Sequence, residues 1–166
     1  IHEGIDSTIL ILRHRLKADE SRPGIEVIKN YGNLPLINCY SGQLNQVFMN
    51  LLANAIDALE ESNLEKSFEE IEANLNQIEI TTSLTADEKT VIILIADNGL
   101  GIPEEVRQRF FENLFTTKAV GKGTGLGLSI ARQIIVDKHE GNLSFNSVVG
   151  QGTKFVIEIP IPSTDS

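Results

Sequence analysis

The chain has a single cysteine, Cys39, among its 166 residues. It can build neither an internal disulfide nor a cysteine cluster for metal, and a reducing, cytoplasmic setting fits it best. No apolar run approaches the roughly 20 residues that cross a bilayer. The first residues, IHEGIDSTIL, lack the basic start and small-residue cleavage site of a secretory leader. Positive charge is scarce: 14 lysines and arginines stand against 23 acidic residues, a net charge of −9. That balance excludes a general nucleic-acid surface, which needs a basic field. It also constrains any nucleotide site, because an acidic protein holding a polyanion needs a metal ion, backbone amides or a few placed lysines. Repeats and low-complexity segments are absent. What is present, 41% apolar and 22% charged residues, is the composition of a globular protein with one core.

Apolar groups at helical spacing (Ile5, Ile9, Leu12, Leu16) predict an opening helix, broken by Pro23 and Gly24. IEVIKNY and LINCY read as two short strands around a turn. Ser41 is a candidate N-cap for a long helix, GQLNQVFMNLLANAIDALEES. The polar stretch after it reads as loop with a helical turn. QIEITTSLT and TVIILIADN are strands joined tightly by ADEK, and Pro103 can begin a short helix over PEEVRQRFF. The loop TTKAVGKGTG leads into LGLSIARQIIVDKHE, a helix that Gly141 stops. NLSFNSV and TKFVIEIP close the chain as a hairpin around VGQG, and PSTDS is expected to fray. Strands mixed with three helices, without repeated βαβ units, indicate an α+β fold with one mixed sheet and helices on one face.

Three constellations carry chemistry. On the long helix, Phe48, Leu52, Ala55 and Leu59 cluster toward the core, while Gln46, Asn50, Asn54 and Asp57 form the opposite stripe. A solvated face is the plain reading of that stripe. Asparagine, however, is a poor helix-interior residue, and carboxamide oxygens at i, i+4 suit a hard cation such as Mg²⁺. DNGLGIP, residues 97–103, follows the apolar strand VIILIA. It is either an ordinary turn or a floor where Asp97 accepts a hydrogen bond and glycines allow close approach. GKGTGLGL, residues 121–128, opens a helix with exposed amides, a natural phosphate site, with a flexible linker as the alternative. It has neither the Walker order nor the Rossmann context.

Taken in order, NLLANAIDAL, DNGLGIP, FENLFTTK and GKGTGLGLSIARQI resemble the N box, first glycine box, F box and second glycine box of the histidine kinase catalytic domain. That domain belongs to the superfamily shared with gyrase, Hsp90 and MutL. The resemblance covers about residues 25 to 160 and implies a two-layer, Bergerat-type α/β sandwich with ATP beneath a mobile lid. It implies that Asn54 ligates Mg²⁺, with Asn50 beside it near the phosphates. Asp97 is to accept from the adenine amino group, with Gly99, Gly101 and Ile102 around the base and Thr153 in support. Gly123, Gly125, Leu126, Gly127 and Leu128 are to form the lid and offer amides, and Lys118 and Lys122 supply cations.

Hydrolysing relatives resemble one another in carrying a water-activating glutamate where this chain has Asn50. A carboxamide cannot act as a base near neutral pH, so the expectation is phosphoryl transfer to a histidine rather than to water. Two departures stand out: many histidine kinases have lysine where this sequence has Asp57, and the F box lacks its usual proline and one aromatic. The implied organisation is a truncated end of a dimerisation-hairpin helix over 1–20, a catalytic domain over 21–162 and a frayed tail over 163–166. The implied partners are the phosphoacceptor hairpin of the same kinase, a response regulator, and a second protomer through the hairpin; nucleic acid and membrane are not expected. Of the histidines, His139 reads as a helix cap and His2 as a weak acceptor candidate. A gyrase–Hsp90-like hydrolase and a nucleotide-free interaction module are the alternative classes.

Overall fold

The computed structural model describes residues 1–105, 107–109 and 124–162, with backbone alone for 124–126. Helix α1 spans His2–Ile11 and a short α2 spans Arg13–Leu16. Strand β1 follows at Glu26–Tyr31, then the long helix α3 at Ser41–Ser62 and the short α4 at Phe68–Ala73. Strands β2 (Gln77–Leu84) and β3 (Thr90–Asp97) come next. Helix α5 (Thr124–Gln133) runs into a π-helical turn, Ile134–Lys138, and β4 (Asn142–Val148) and β5 (Gly152–Pro160) close the fold.

The five strands lie in the order β1-β2-β3-β5-β4. Only β1 and β2 run parallel; the other pairs are antiparallel, and in β2 and β3 buried side chains recur at every second position. The apolar face of that sheet meets α3. Leu44, Val47, Phe48, Leu51, Leu52, Ala55, Ile56 and Leu59 are all buried, a stripe wider than the four positions read from periodicity, as a helix packed between sheet and neighbouring helices requires. Phe48 is fully enclosed, and trimming it to alanine would cost about 3–5 kcal/mol.

Three local expectations need correction. LINCY is not a strand: residues 36–40 lie outside the sheet, with Leu36 wholly exposed while Ile37 and Cys39 pack singly on the core. That segment carries the chain from the β1 edge to the start of α3 without pairing into the sheet. Ser41 is the first helical residue rather than the cap; Tyr40 holds the cap position and makes no side-chain cap bond. Its amide donates instead to His139 Nε2 at 3.0 Å. The last helix ends in a widened π turn, which lets adjacent Ile134 and Ile135 both be buried. Elsewhere the polar stretch before β2 yields a helix with a full capping box between Ser67 and Glu70.

Helix α1 is bound to the sheet through polar contacts. His2 Nε2 lies 2.7 Å from Thr82 Oγ1 and its ring stacks on Tyr31 at 4.1 Å. Asp6 accepts from Tyr31 Oη at 2.7 Å and pairs with Lys29 at 2.9 Å. His2 is thus occupied in packing.

Candidate nucleotide site

Strand β3 delivers Asp97 at its end, between Ile78 of β2 and Thr153 of β5. The residue is 7% exposed and its side chain opens on a cleft of about 490 Å³ beside α3. Burial pushes the carboxyl up to about 6, while bonds from the Gly99 and Thr153 amides pull the other way. The Gly99 amide donates at 2.9 Å. A buried carboxylate with two backbone donors retains lone pairs for one more donor, which is the capacity needed to read an amino group.

The loop after Asp97 is shaped by its glycines and by a serine. Gly101 has φ +78°, and a Cβ there would stand 2.5 Å from the Val148 carbonyl oxygen, so only glycine allows the loop to lie against the β4–β5 turn. The Ile102 amide donates to Ser147 Oγ at 2.7 Å, and Ser147 Oγ meets Thr153 Oγ1 at 2.9 Å. Ser147 therefore links the loop to the buried threonine, and Arg107 donates to its carbonyl at 2.8 Å. Ser147 was not singled out from sequence; its signal is its place directly opposite Thr153 in the closing hairpin.

Asn54, Gly101, Ile102 and Thr153 line the same cleft as Asp97. Asn50 sits one turn along α3, and its Nδ2 donates to the Gly127 carbonyl at 3.0 Å. Gly125, Leu126, Gly127 and Leu128 fall in the first two turns of α5; a helix leaves only its first four backbone amides without intrahelical partners, so Gly125 and Leu126 are the described ones placed to offer theirs. The Leu128 side chain is in the core. Lys118, Lys122, Gly123 and the F box lie outside the described residues. Asp57 lines the cleft and is paired with Arg15 at 2.6 Å, a contact sequence reading did not foresee.

The sequence profile described as "Histidine kinase-, DNA gyrase B-, and HSP90-like ATPase" matches residues 40–163. The chain belongs to this family. Sporulation kinase E of Bacillus subtilis (strain 168) is 35% identical over 129 residues, 78% of this chain and 15% of that protein. Sensor protein TdiS of Thauera aromatica is 30% identical over 161 residues, 97% of this chain and 27% of that protein. This chain thus spans a quarter or less of the first and little more of the second. The catalytic domain of histidine kinase ThkA superposes with a TM-score of 0.68 at 27% identity, covering 96% of this chain and 93% of that one. ThkA in complex with the response regulator TrrA shares the fold, with a TM-score of 0.68 at 24% identity, covering 100% and 42%. The domain is a histidine kinase-type catalytic domain of the ATP-binding class.

Proposed function

We propose that this domain transfers the γ-phosphoryl group of ATP to a histidine on a helical dimerisation hairpin, in two-component signalling. The bond from the bridging oxygen to the γ-phosphorus breaks, a bond to an imidazole nitrogen forms, and ADP leaves. The observation that carries the reading is Asn50. Its carboxamide holds no proton-accepting charge near neutral pH and is bonded to Gly127, so this position offers bound ATP no base for activating water. Asp97 accepts a hydrogen bond from the adenine amino group, the loop through Gly99, Gly101 and Ile102 covers the base, and Thr153 with Ser147 fixes that loop.

Magnesium belongs to the same reading. Among the described residues no three His, Cys, Asp or Glu side chains gather into a metal site. The Asn54 carboxamide, on the cleft wall, would hold the ion together with the phosphates, and bound there the ion would neutralise phosphate charge. Lys118, Lys122 and the amides of Gly123, Gly125 and Leu126 serve the phosphates. Residues 1–20, helical over His2–Ile11 and Arg13–Leu16, are taken as the end of a dimerisation hairpin, 21–162 as the catalytic domain, and the hairpin supplies the acceptor, the second protomer and the docking face for a response regulator. The setting is the cytoplasm; no helix among the described residues is long and apolar enough to cross a membrane.

The test is radiolabelled ATP with the 166-residue chain alone, then with the hairpin of its parent kinase. Expected are ATP binding, no self-labelling, and slow acid-labile labelling of the hairpin, since transfer becomes bimolecular. Acid-labile label on the lone chain that disappears in His2→Ala would sink the assignment of the acceptor. Release of inorganic phosphate at the same rate with and without the hairpin would favour a hydrolase.

A further inference from the structure

Three carboxylates, Asp57, Glu61 and Asp97, face the cleft, and no lysine or arginine lines it among the described residues. These carboxylates oppose the charge of an entering polyphosphate. Among the described residues, one counter-charge comes from outside the cleft. Arg15, on α2, donates through Nη2 to Asp57 Oδ1 at 2.6 Å and to Glu60 Oε2 at 3.2 Å. Asp57 thus forms the rim of the cleft on one side and the partner of Arg15 on the other.

Arg15 is presented by a built backbone rather than by a loose linker. Arg22, almost wholly buried, donates to the carbonyls of Arg15, Lys17 and Pro23. Asp19 Oδ1 accepts from the Ser21 amide and hydroxyl, both at 2.7 Å, and from the Arg22 amide at 3.1 Å. The Ile25 amide returns to the Leu16 carbonyl at 2.8 Å. This closed loop holds the Arg15 backbone, and ion pairs from Arg15 and Arg22 to Asp57 and Glu60 join it to α3 one helical turn beyond Asn54.

We propose that Arg15 is a positioning residue for nucleotide binding, neutralising Asp57 at the cleft rim so that the docked α2 segment raises affinity for polyphosphate nucleotides. This rests on the nucleotide reading above. The effect grows with the number of phosphates, because it acts on charge and not on the base. By linkage, a bound polyphosphate favours the docked arrangement of α2 by the same factor. Both side chains are partly exposed, 36% for Arg15 and 49% for Asp57, so the effect is modest, about two- to fivefold, as for ion pairs near water.

Calorimetric titrations of ATP, ADP and AMP into wild type, Arg15→Ala, Asp57→Asn and the double variant test it. Arg15→Ala should weaken ATP by about two- to fivefold, ADP less and AMP least. Asp57→Asn alone should tighten ATP, since Arg15 is then an uncompensated cation, and in the double variant it should restore what Arg15→Ala lost. Arg15→Lys, which keeps the charge, should stay near wild type. Equal losses for all three nucleotides, no rescue by Asp57→Asn, or unchanged ATP affinity in Arg15→Ala would overturn the proposal. Asp57→Asn carries the test even if Arg15→Ala proves unstable. Wild type that binds none of the three overturns the nucleotide reading itself and this inference with it, an outcome distinct from the others.

Discussion

The Asn50 side-chain amide donates to the Gly127 carbonyl at 3.0 Å, a bond across 77 residues of sequence that ties α3 to α5. The Asn50 amide therefore has a structural task of its own. Asn50→Asp keeps the shape and removes the donor, setting a carboxylate against a carbonyl. The expected loss is about 1–3 kcal/mol at neutral pH. It should shrink in acid, because a protonated aspartate can donate to Gly127 and its pKa in the fold lies above that in the unfolded chain. Urea denaturation at pH 7.5 and pH 4 checks this; equal penalties at both would contradict it.

Asp97 is a group whose function opposes its stability. Its carboxyl rises from the ordinary 3.8 to about 6. The folded state thus holds a proton that the unfolded state has released over that interval, and stability falls as pH rises through it. At 1.36 kcal/mol per pH unit the loss above pH 6 is about 3 kcal/mol. Asp97→Asn should be more stable than wild type at pH 7.5, with the advantage vanishing below about pH 4. Its ATP binding should nearly disappear, since an amide can oppose a donor to the adenine amino group. Wild-type ATP affinity should fall as pH drops through about 6. Melting curves and titrations across that range decide; a variant that binds ATP as wild type does removes Asp97 from the site.

Gly101 and Gly150 both have positive φ, +78° and +85°, but differ in surroundings. A Cβ on Gly101 meets the Val148 carbonyl oxygen at 2.5 Å, whereas one on Gly150 meets nothing within 4 Å. Gly150→Ala should cost only the conformational penalty, about 1–2 kcal/mol. Gly101→Ala should cost more and also weaken ATP, because the loop carrying Ile102 must move. Thermal melts of the two variants give the comparison, and equal melting temperatures would mean that the contact yields freely.

The sequence makes legible what is local and periodic. The strands β2 and β3 alternate, α3 repeats at helical spacing, and Asp97 follows an apolar strand into a glycine turn, so each is visible within a dozen residues. The four motifs were readable through their order, although the meeting of Asn54 with Asp97 across the cleft depends on the sheet. Contacts between distant surface charges leave no such trace: Arg15 and Asp57 lie 42 residues apart, and each alone reads as a solvated charge. The departure of Asp57 from the lysine of many relatives was visible, its partner was not. LINCY misled because a strand needs a neighbour as well as alternation, and residues 36–40 have none in the sheet. Ser147 was silent because its hydroxyl matters only through the pairing that sets it opposite Thr153.

Asn54 lies on the cleft wall, four residues from Asn50 and three from Asp57 on the same helix. If its carboxamide oxygen serves a magnesium ion, Asn54→Ala removes one ligand from the metal and none from the base. Alanine is also the better helix former, by a few tenths of a kcal/mol, so the fold should hold and any loss of binding is a loss of contact. ATP affinity should therefore fall clearly with Mg²⁺ present and little in chelator, while AMP, which gives the metal no polyphosphate to share, should be nearly unaffected. Titrations of wild type and variant under both conditions measure this directly. Equal losses with Mg²⁺ and with chelator would assign Asn54 to the nucleotide itself and leave the metal to other groups.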